Sequence, residues 1–218
     1  MARHAIFNVS LVLLLLLVSG FQARAHPHVF VDVDIEVGFD PEGSTKNLRF
    51  DWIFDDMYSA FMMQGVERSN GKPTAAALEK LADVFMEKID EADYFTSAIA
   101  ADGHELQITG ALDVQLTLTD AKRLRLAFTA PLRSVVGHVE KVSIQVFDPQ
   151  YILAFKVSSD ARLASAPLHC TSVMTEPPPL TASDALLLND SVRTNVLDPN
   201  FGSRLASKII VDCRASPK

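Results

Sequence analysis

The stretch that decides the fold is HVFVDVDIEVGFDPEGSTKNLRFDWIF, residues 28–54. Apolar residues recur at every second position from residue 29 to 39, and acidic residues fill most of the positions between them. This period of two is typical of a strand with one buried face. Residues 40–44 supply turn chemistry, and the alternation resumes over 48–54. We therefore predict an antiparallel hairpin, in which Phe30 breaks the otherwise polar face of the first strand.

Helical signals follow the hairpin. Asp55 and Asp56 can cap a short helix over 57–63, because an acidic side chain accepts the free amides of a first turn. Thr74 is a cap for a longer helix that ends near Asp93, and apolar residues recur in it at helical spacing. The sequence thus predicts a helical insertion over about 55–93.

The rest of the chain returns to strands. Short alternating runs separated by turn signals indicate antiparallel sheet. We expect strands at 95–99, 106–108, 112–118, 124–128, 142–146, 151–157 and 209–213. Residues 158–179 have a loop-like composition, and a short helix is expected after Ser183. The predicted fold class is α+β, mostly antiparallel, with the helical insertion after the first hairpin.

The amino-terminal end predicts export from the cytoplasm. Arg3 precedes an apolar run over 9–18, which is about half the 20 residues that a membrane-spanning helix needs. Ala23-Arg24-Ala25 then offers small residues at the positions that a signal peptidase inspects. We expect residues 1–25 to be a signal peptide and 26–218 to form one periplasmic domain, without a membrane anchor after cleavage.

Charge and cysteine content narrow the class of protein further. Arg3 and Arg24 would be lost with the signal peptide, so the net charge of residues 26–218 is (20 − 2) − 27 = −9. Such an acidic protein is a poor partner for nucleic acid and for anionic membrane surfaces. The two cysteines, Cys170 and Cys213, both lie in the exported part. An even pair in an oxidising compartment predicts a disulfide; two buried thiols or a soft-metal pair are the alternative.

Five landmarks in the chain carry a family resemblance. They are HPHVF at 26–30, WIFD at 52–55, DYFT at 93–96, FDPQY at 147–151 and the late cysteine pair. Together they resemble a bacterial family of periplasmic proteins known as a domain of unknown function, number 1007 in its series. Members are labelled as periplasmic components of an uncharacterised ABC-type transport system, and their genes often neighbour nickel and cobalt permeases. The resemblance implies a role in transition-metal transport beside such a membrane partner.

The chain departs from this family at one point. Many members carry a calcium-loop run, DxDGDGxLSxxE, within the helical insertion. In this chain the matching stretch is 66–77, where Val66, Arg68 and Ala77 replace the carboxylates at loop positions one, three and twelve. Calcium binding is therefore not expected.

The candidate metal ligands are at the new amino terminus. His26 would offer its α-amine and its imidazole, and His28 lies on the same side of an extended chain. Nickel, cobalt, zinc or copper suits such nitrogens. A square-planar motif that uses the amide of residue two is excluded, because Pro27 has no N–H. The alternative is that these histidines only begin the first strand.

Three weaker candidates stand apart from this end. His104 and His138 follow glycine-containing turns, and loops often carry binding groups. Asp55 belongs to the WIFD landmark, and its alternative role is that of a helix cap.

Two further functions compete with metal binding for a transporter. One is a non-metal envelope interaction module that holds a permease or assembly partner. The other is a copper-dependent enzyme, although the sequence has no GxSxG, HExxH or nucleotide-binding fingerprint.

Overall fold

The fold is described by a computed structural model over residues 28–133, 139–167, 169–184, 186–187 and 201–214. The predicted signal peptide, His26 and His138 lie outside these residues. The strands are β1 (Val29–Phe39), β2 (Thr45–Phe54), β3 (Arg68–Ser69), β4 (Lys72–Pro73), β5 (Thr96–Ala100), β6 (Gln107–Ile108), β7 (Leu112–Leu118), β8 (Leu124–Arg133), β9 (Lys141–Val146), β10 (Leu153–Val157), β11 (Arg162–Ala164), β12 (Thr171–Thr175) and β13 (Lys208–Asp212). The helices are α1 (Asp56–Met62), α2 (Ala75–Glu91) and α3 (Phe201–Arg204).

The predicted hairpin lies at the centre of the larger sheet. β1 and β2 pair antiparallel from Val31 opposite Phe54 to Phe39 opposite Thr45. The strand order is β10-β1-β2-β8-β6, with β11 also paired to β1 and β7 paired to β8. The prediction of a hairpin over 28–54 is confirmed.

A second sheet of four strands has the order β12-β13-β9-β5, and all its pairings are antiparallel. Apolar residues of both sheets and of α2 belong to one buried cluster. The largest fully buried side chains of this core include Trp52, Phe50, Phe128, Leu48, Leu124 and Leu126. The α+β class with mostly antiparallel sheet is confirmed.

The helical insertion begins and ends close to its predicted residues. Asp55 caps α1 and Thr74 caps α2, each by accepting a backbone N–H of the first turn. The Phe85 ring of α2 packs on the rings of Phe54 and Tyr58, with centroids 5.3 and 6.2 Å away. This aromatic contact fixes the insertion to the end of β2.

The sequence analysis was wrong about part of the chain after β10. Residues 158–179 were expected to be a loop, yet β11 and β12 lie within them. β10 and β11 both pair with β1 in parallel, a direction that no local pattern signalled. Parallel pairing depends on a long connection bringing two distant segments together, so it leaves little trace in either segment.

Candidate functional site

The start of β1 and the end of β2 form one corner of the larger sheet. Because the two strands run antiparallel, the HPHVF and WIFD landmarks are brought side by side. Phe30 N–H donates to Asp55 Oδ2 at 2.8 Å, and Asp55 N–H donates to the Phe30 carbonyl at 2.9 Å. We call the region of His28, Phe30, Asp55 and the first turn of α1 the β1–β2 corner.

Asp55 has two structural roles at this corner. Its Oδ1 accepts the Tyr58 N–H at 2.8 Å and so caps α1, while Oδ2 holds Phe30. The predicted cap is therefore present, and the same carboxylate also ties the helix to β1. Each carboxylate oxygen has a second lone pair, so these two hydrogen bonds leave acceptor capacity for a further ligand.

His28 is held on the other side of the corner by the FDPQY landmark. Its backbone N–H donates to the Ile152 carbonyl at 2.9 Å, and its side chain is exposed. The Asp148 carboxylate, which is buried, organises this turn by accepting the N–H groups of Gln150, Ile152 and Leu153 at 2.9–3.0 Å. His28 therefore begins a strand whose position is fixed on both sides.

The DYFT landmark supports the corner from inside. Asp93, Tyr94 and Phe95 have φ values of 47, 57 and 49°, so the chain makes a left-handed turn without any glycine. Each such residue costs about 1–2 kcal/mol relative to the right-handed region. Strain of this kind persists only where the surroundings over-determine it.

Contacts around residues 93–95 offset the backbone strain of this turn. The Tyr94 hydroxyl donates to Asp90 Oδ1 at 2.7 Å, and burial, followed by this bond, raises the pKa of Tyr94. The Phe95 carbonyl accepts the Phe147 N–H at 2.8 Å, and the Phe95 ring lies 6.4 Å from that of Trp52. The Phe155 ring of β10 also packs on Trp52, with the two ring centroids 5.0 Å apart. The WIFD and DYFT landmarks thus meet through the rings of Trp52 and Phe95, and the FDPQY landmark joins them through the Phe147 N–H.

The remaining sequence candidates do not join this corner in the described structure. His104 lies in the turn after β5, in the second sheet, where its Nδ1 is 3.2 Å from Asp102 Oδ2. Hydrogen bonds from His104, the backbone N–H first and then the ring, lower the pKa of Asp102. His138 lies outside the described residues. Of the three ligand candidates that the structure describes, His28 and Asp55 lie at the same corner and His104 does not.

The described residues supply two potential metal-binding side chains at the corner, His28 and Asp55. Within the described ranges, no three side chains of His, Cys, Asp or Glu are arranged to hold a metal ion. His28 supplies an imidazole and Asp55 a carboxylate, both of which suit zinc, nickel, cobalt or copper. His26, the other candidate at this end of the chain, lies outside the described residues.

The outward face of the hairpin is used for ion pairing. Arg123 Nη2 lies 2.9 Å from Asp32 Oδ2, and Arg125 Nε lies 2.8 Å from Asp51 Oδ1. Arg162 Nε lies 3.4 Å from Glu36 Oε2. Asp32 and Glu36, on the polar face of β1, therefore each have a cationic neighbour.

The sequence analysis missed two residues of this region. Asp148 was noted only as part of a landmark, although an Asp before Pro commonly starts a turn by accepting backbone amides. Arg123 donates to the carbonyls of Ile53 and Phe54 as well as to Asp32, and so ties β8 to the end of β2. Nothing in the local pattern around Arg123 indicated these partners.

Cys170 and Cys213 form the predicted disulfide, which links the residue before β12 to the residue after β13. The bond is compatible with a compartment outside the cytoplasm. In the part of the chain that the structure describes, no helix is long and apolar enough to cross a bilayer.

Comparison with known proteins adds the following. A family model described as "Protein of unknown function (DUF1007)" matches residues 11–213. A Haemophilus influenzae protein described as uncharacterized is 24% identical over 208 residues, which cover 92% of this chain and 97% of that protein.

Proposed function

This chain belongs to the DUF1007 family of proteins of unknown function, and from this premise we propose that it is a periplasmic accessory protein that binds a transition-metal ion for a membrane transporter. The observation that carries the proposal is the β1–β2 corner. There, antiparallel pairing brings the carboxylate of Asp55 to the strand that begins at His28.

The chemistry of the corner supports a nitrogen-rich site. Processing before His26 would add an α-amine and a second imidazole to the His28 ring and the Asp55 carboxylate. Amine and imidazole nitrogens with one carboxylate suit nickel, copper, zinc and cobalt. The N–H groups of Phe30 and Tyr58 already orient the Asp55 carboxylate. It would therefore lose little conformational freedom on binding a metal ion.

Titration calorimetry tests this proposal. Protein that begins at His26 is titrated with nickel, copper, zinc and cobalt salts, and compared with protein that carries one extra residue before His26. Loss of a nitrogen that binds the metal as part of a chelate should raise Kd by about tenfold or more. We expect this for the extended protein and for His26→Ala, and a smaller loss for His28→Ala.

The matched control is His104→Ala, which removes an exposed histidine in the other sheet and should change Kd by about twofold at most. Binding should also weaken as the pH falls below about 7, because protons compete for the amine and imidazole lone pairs. Equal affinity of the extended and processed proteins would place the site elsewhere. If none of the four metals binds, the metal proposal is wrong.

A second candidate function is an envelope interaction module that needs no metal. Three large apolar side chains near this end of the hairpin are more than half exposed: Phe30 on β1, and Met57 and Phe61 on α1. They favour this function, because exposed apolar patches mark contact sites.

A further inference from the structure

A cleft of about 380 Å³ opens between α1, β3 and the turn that joins β7 to β8. Its volume is at the lower end of the range for small-molecule sites, which is about 300–1,000 Å³. Ala60, Met63, Leu118 and Ala121 give the cleft an apolar wall. We call it the Lys122 cleft, after one of its lining residues.

Two cations line the Lys122 cleft. Arg68 on β3 and Lys122 in the β7–β8 turn are both exposed, and within the described part of the chain neither forms an ion pair with a carboxylate. Arg68 Nη1 makes one long hydrogen bond, of 3.4 Å, to the Gly71 carbonyl, so the other guanidinium donors remain available. Asp56 also lines the cleft, but its carboxylate lies 3.7 Å from Nε of Arg123. The lining therefore carries two cations against one carboxylate, which already has a cationic neighbour.

The backbone conformation of Lys122 is a second, independent observation. Its φ of 63° lies in the left-handed region, which Gly or Asn usually occupies in such a hairpin turn. The turn holds the residue there, because the Lys122 N–H donates to the Thr119 carbonyl at 2.8 Å. A side chain in this region costs free energy, so folding by itself favours glycine at this position. A lysine kept at such a cost points to a use for its ammonium group.

We infer that the Lys122 cleft binds a small organic monocarboxylate with an apolar body. The planar fork of Arg68 matches the two oxygens of a carboxylate, and Lys122 adds a point charge. The apolar wall removes the hydrocarbon part of the ligand from water. The inference goes beyond the metal-binding proposal and does not depend on it.

The chemistry of the lining decides among the classes of ligand. A cationic ligand would bring like charge against Arg68 and Lys122. A neutral apolar ligand would use the wall alone and leave both cations without a partner. A polyanion such as nucleic acid would be repelled by a chain of net charge −7. A single carboxylate on a short hydrocarbon uses both the cations and the wall.

An NMR titration followed at the backbone amides tests the inference. Protein that begins at His26 is titrated with hexanoate, and in parallel with hexylamine, hexanol and acetate. We expect hexanoate to shift the amides of Ala60, Met63 and Ala121 with a Kd of about 1 mM. Hexylamine and hexanol lack the carboxylate and acetate lacks the apolar body, so each should bind at least about fivefold more weakly.

The key variant is Lys122→Gly, which removes the ammonium and suits the left-handed backbone. It should raise the Kd for hexanoate about threefold or more, while Tm stays unchanged or rises. A loss of affinity without a loss of Tm separates a binding role from a structural one. The matched control is Lys72→Ala on β4, in the same hairpin as Arg68 but not in the lining, and it should change Kd by about twofold at most.

Ala121→Glu provides a second variant, because it adds a carboxylate to the lining at an exposed turn position. It should raise the Kd for hexanoate about fivefold or more with little change in Tm. The inference is wrong if hexanoate at about 20 mM, well above the expected Kd, shifts none of these amides. It is also wrong if hexylamine, hexanol or acetate binds as tightly as hexanoate, or if Lys122→Gly binds hexanoate like the unaltered protein.

The metal site and the Lys122 cleft fail separately. Lys122→Gly should leave the Kd for nickel or zinc within about twofold, because it removes no proposed metal ligand. His28→Ala should likewise leave the Kd for hexanoate unchanged. Hexanoate binding without metal binding removes only the metal proposal, and metal binding without hexanoate binding removes only the cleft.

Discussion

Phe30 and Asp55 exchange two hydrogen bonds across the end of the β1–β2 hairpin. One runs from the Phe30 N–H to the Asp55 carboxylate at 2.8 Å, and the other from the Asp55 N–H to the Phe30 carbonyl at 2.9 Å. The Asp55 carboxylate thus adds one hydrogen bond beyond the last backbone pair of β1 and β2. Its other oxygen accepts the Tyr58 N–H and so caps α1.

Asp55→Ala should destabilise the protein by about 1–3 kcal/mol, because the Phe30 and Tyr58 amides both lose their acceptor. Asp55→Asn should cost less, since the amide oxygen can still accept one of the two bonds. Urea denaturation measures the difference. Asp56→Ala, beside it but exposed, is the control and should change the free energy of unfolding by no more than about 0.5 kcal/mol.

Asp148→Ala should be more harmful, at about 3–5 kcal/mol, because a buried carboxylate that serves three backbone amides is lost. The turn that presents the Ile152 carbonyl to His28 should loosen as well. Hydrogen exchange at the His28 and Val29 amides should therefore become faster. Unchanged exchange would mean that the turn keeps its shape without Asp148. Asp102→Ala, in an exposed turn, is the control.

Reduction of the disulfide should lower the free energy of unfolding by about 4 kcal/mol, as the chain-entropy model gives for a sequence separation of 43. Neither sulfur of the disulfide is a free thiol, so alkylating reagents should label neither cysteine until the bond is reduced. Mass spectrometry after alkylation, with and without reductant, checks this. Labelling of the native, unreduced protein would contradict the disulfide.

The three tyrosines should ionise at a higher pH in the folded protein than in the unfolded chain. Burial raises the pKa of Tyr58, Tyr94 and Tyr151, with Asp90 adding to the effect at Tyr94 and Asp55 at Tyr58. A folded-state pKa above the unfolded value of about 10 means that stability is complete below pH 10 and falls as the pH rises through the folded values. Absorbance at 295 nm against pH is the measurement.

At pH 10, where a free tyrosine is half ionised, the native protein should show less tyrosinate than a guanidinium-unfolded sample, in which about half of the tyrosine should be ionised. Tyr94→Phe should lower the absorbance change at high pH by the contribution of one tyrosine. A native titration that coincides with the unfolded one would show that the rings are accessible to solvent.

The residues proposed as ligands illustrate how far the sequence could reach. His28 and Asp55 were both selected from short motifs, one as a possible ligand and the other as a cap that could also bind metal. Their placement at one corner required the hairpin register, in which Val31 lies opposite Phe54. Phe30 was visible as an apolar residue on a polar face, yet its hydrogen bonds with Asp55 appear only in the folded hairpin.

By itself the sequence determined what local spacing encodes: the two faces of β1, the caps Asp55 and Thr74, and the class of the fold. Period and capping act over a few residues, so the chain carries them directly. Only the tertiary structure decided which distant groups meet. The parallel pairing of β1 with β10, the bond from Arg123 to Asp32 and the seat of Gly202 against the Asp148 carbonyl join segments far apart in the chain. Such contacts depend on how complementary surfaces pack once the core is buried, and no local pattern records that fit.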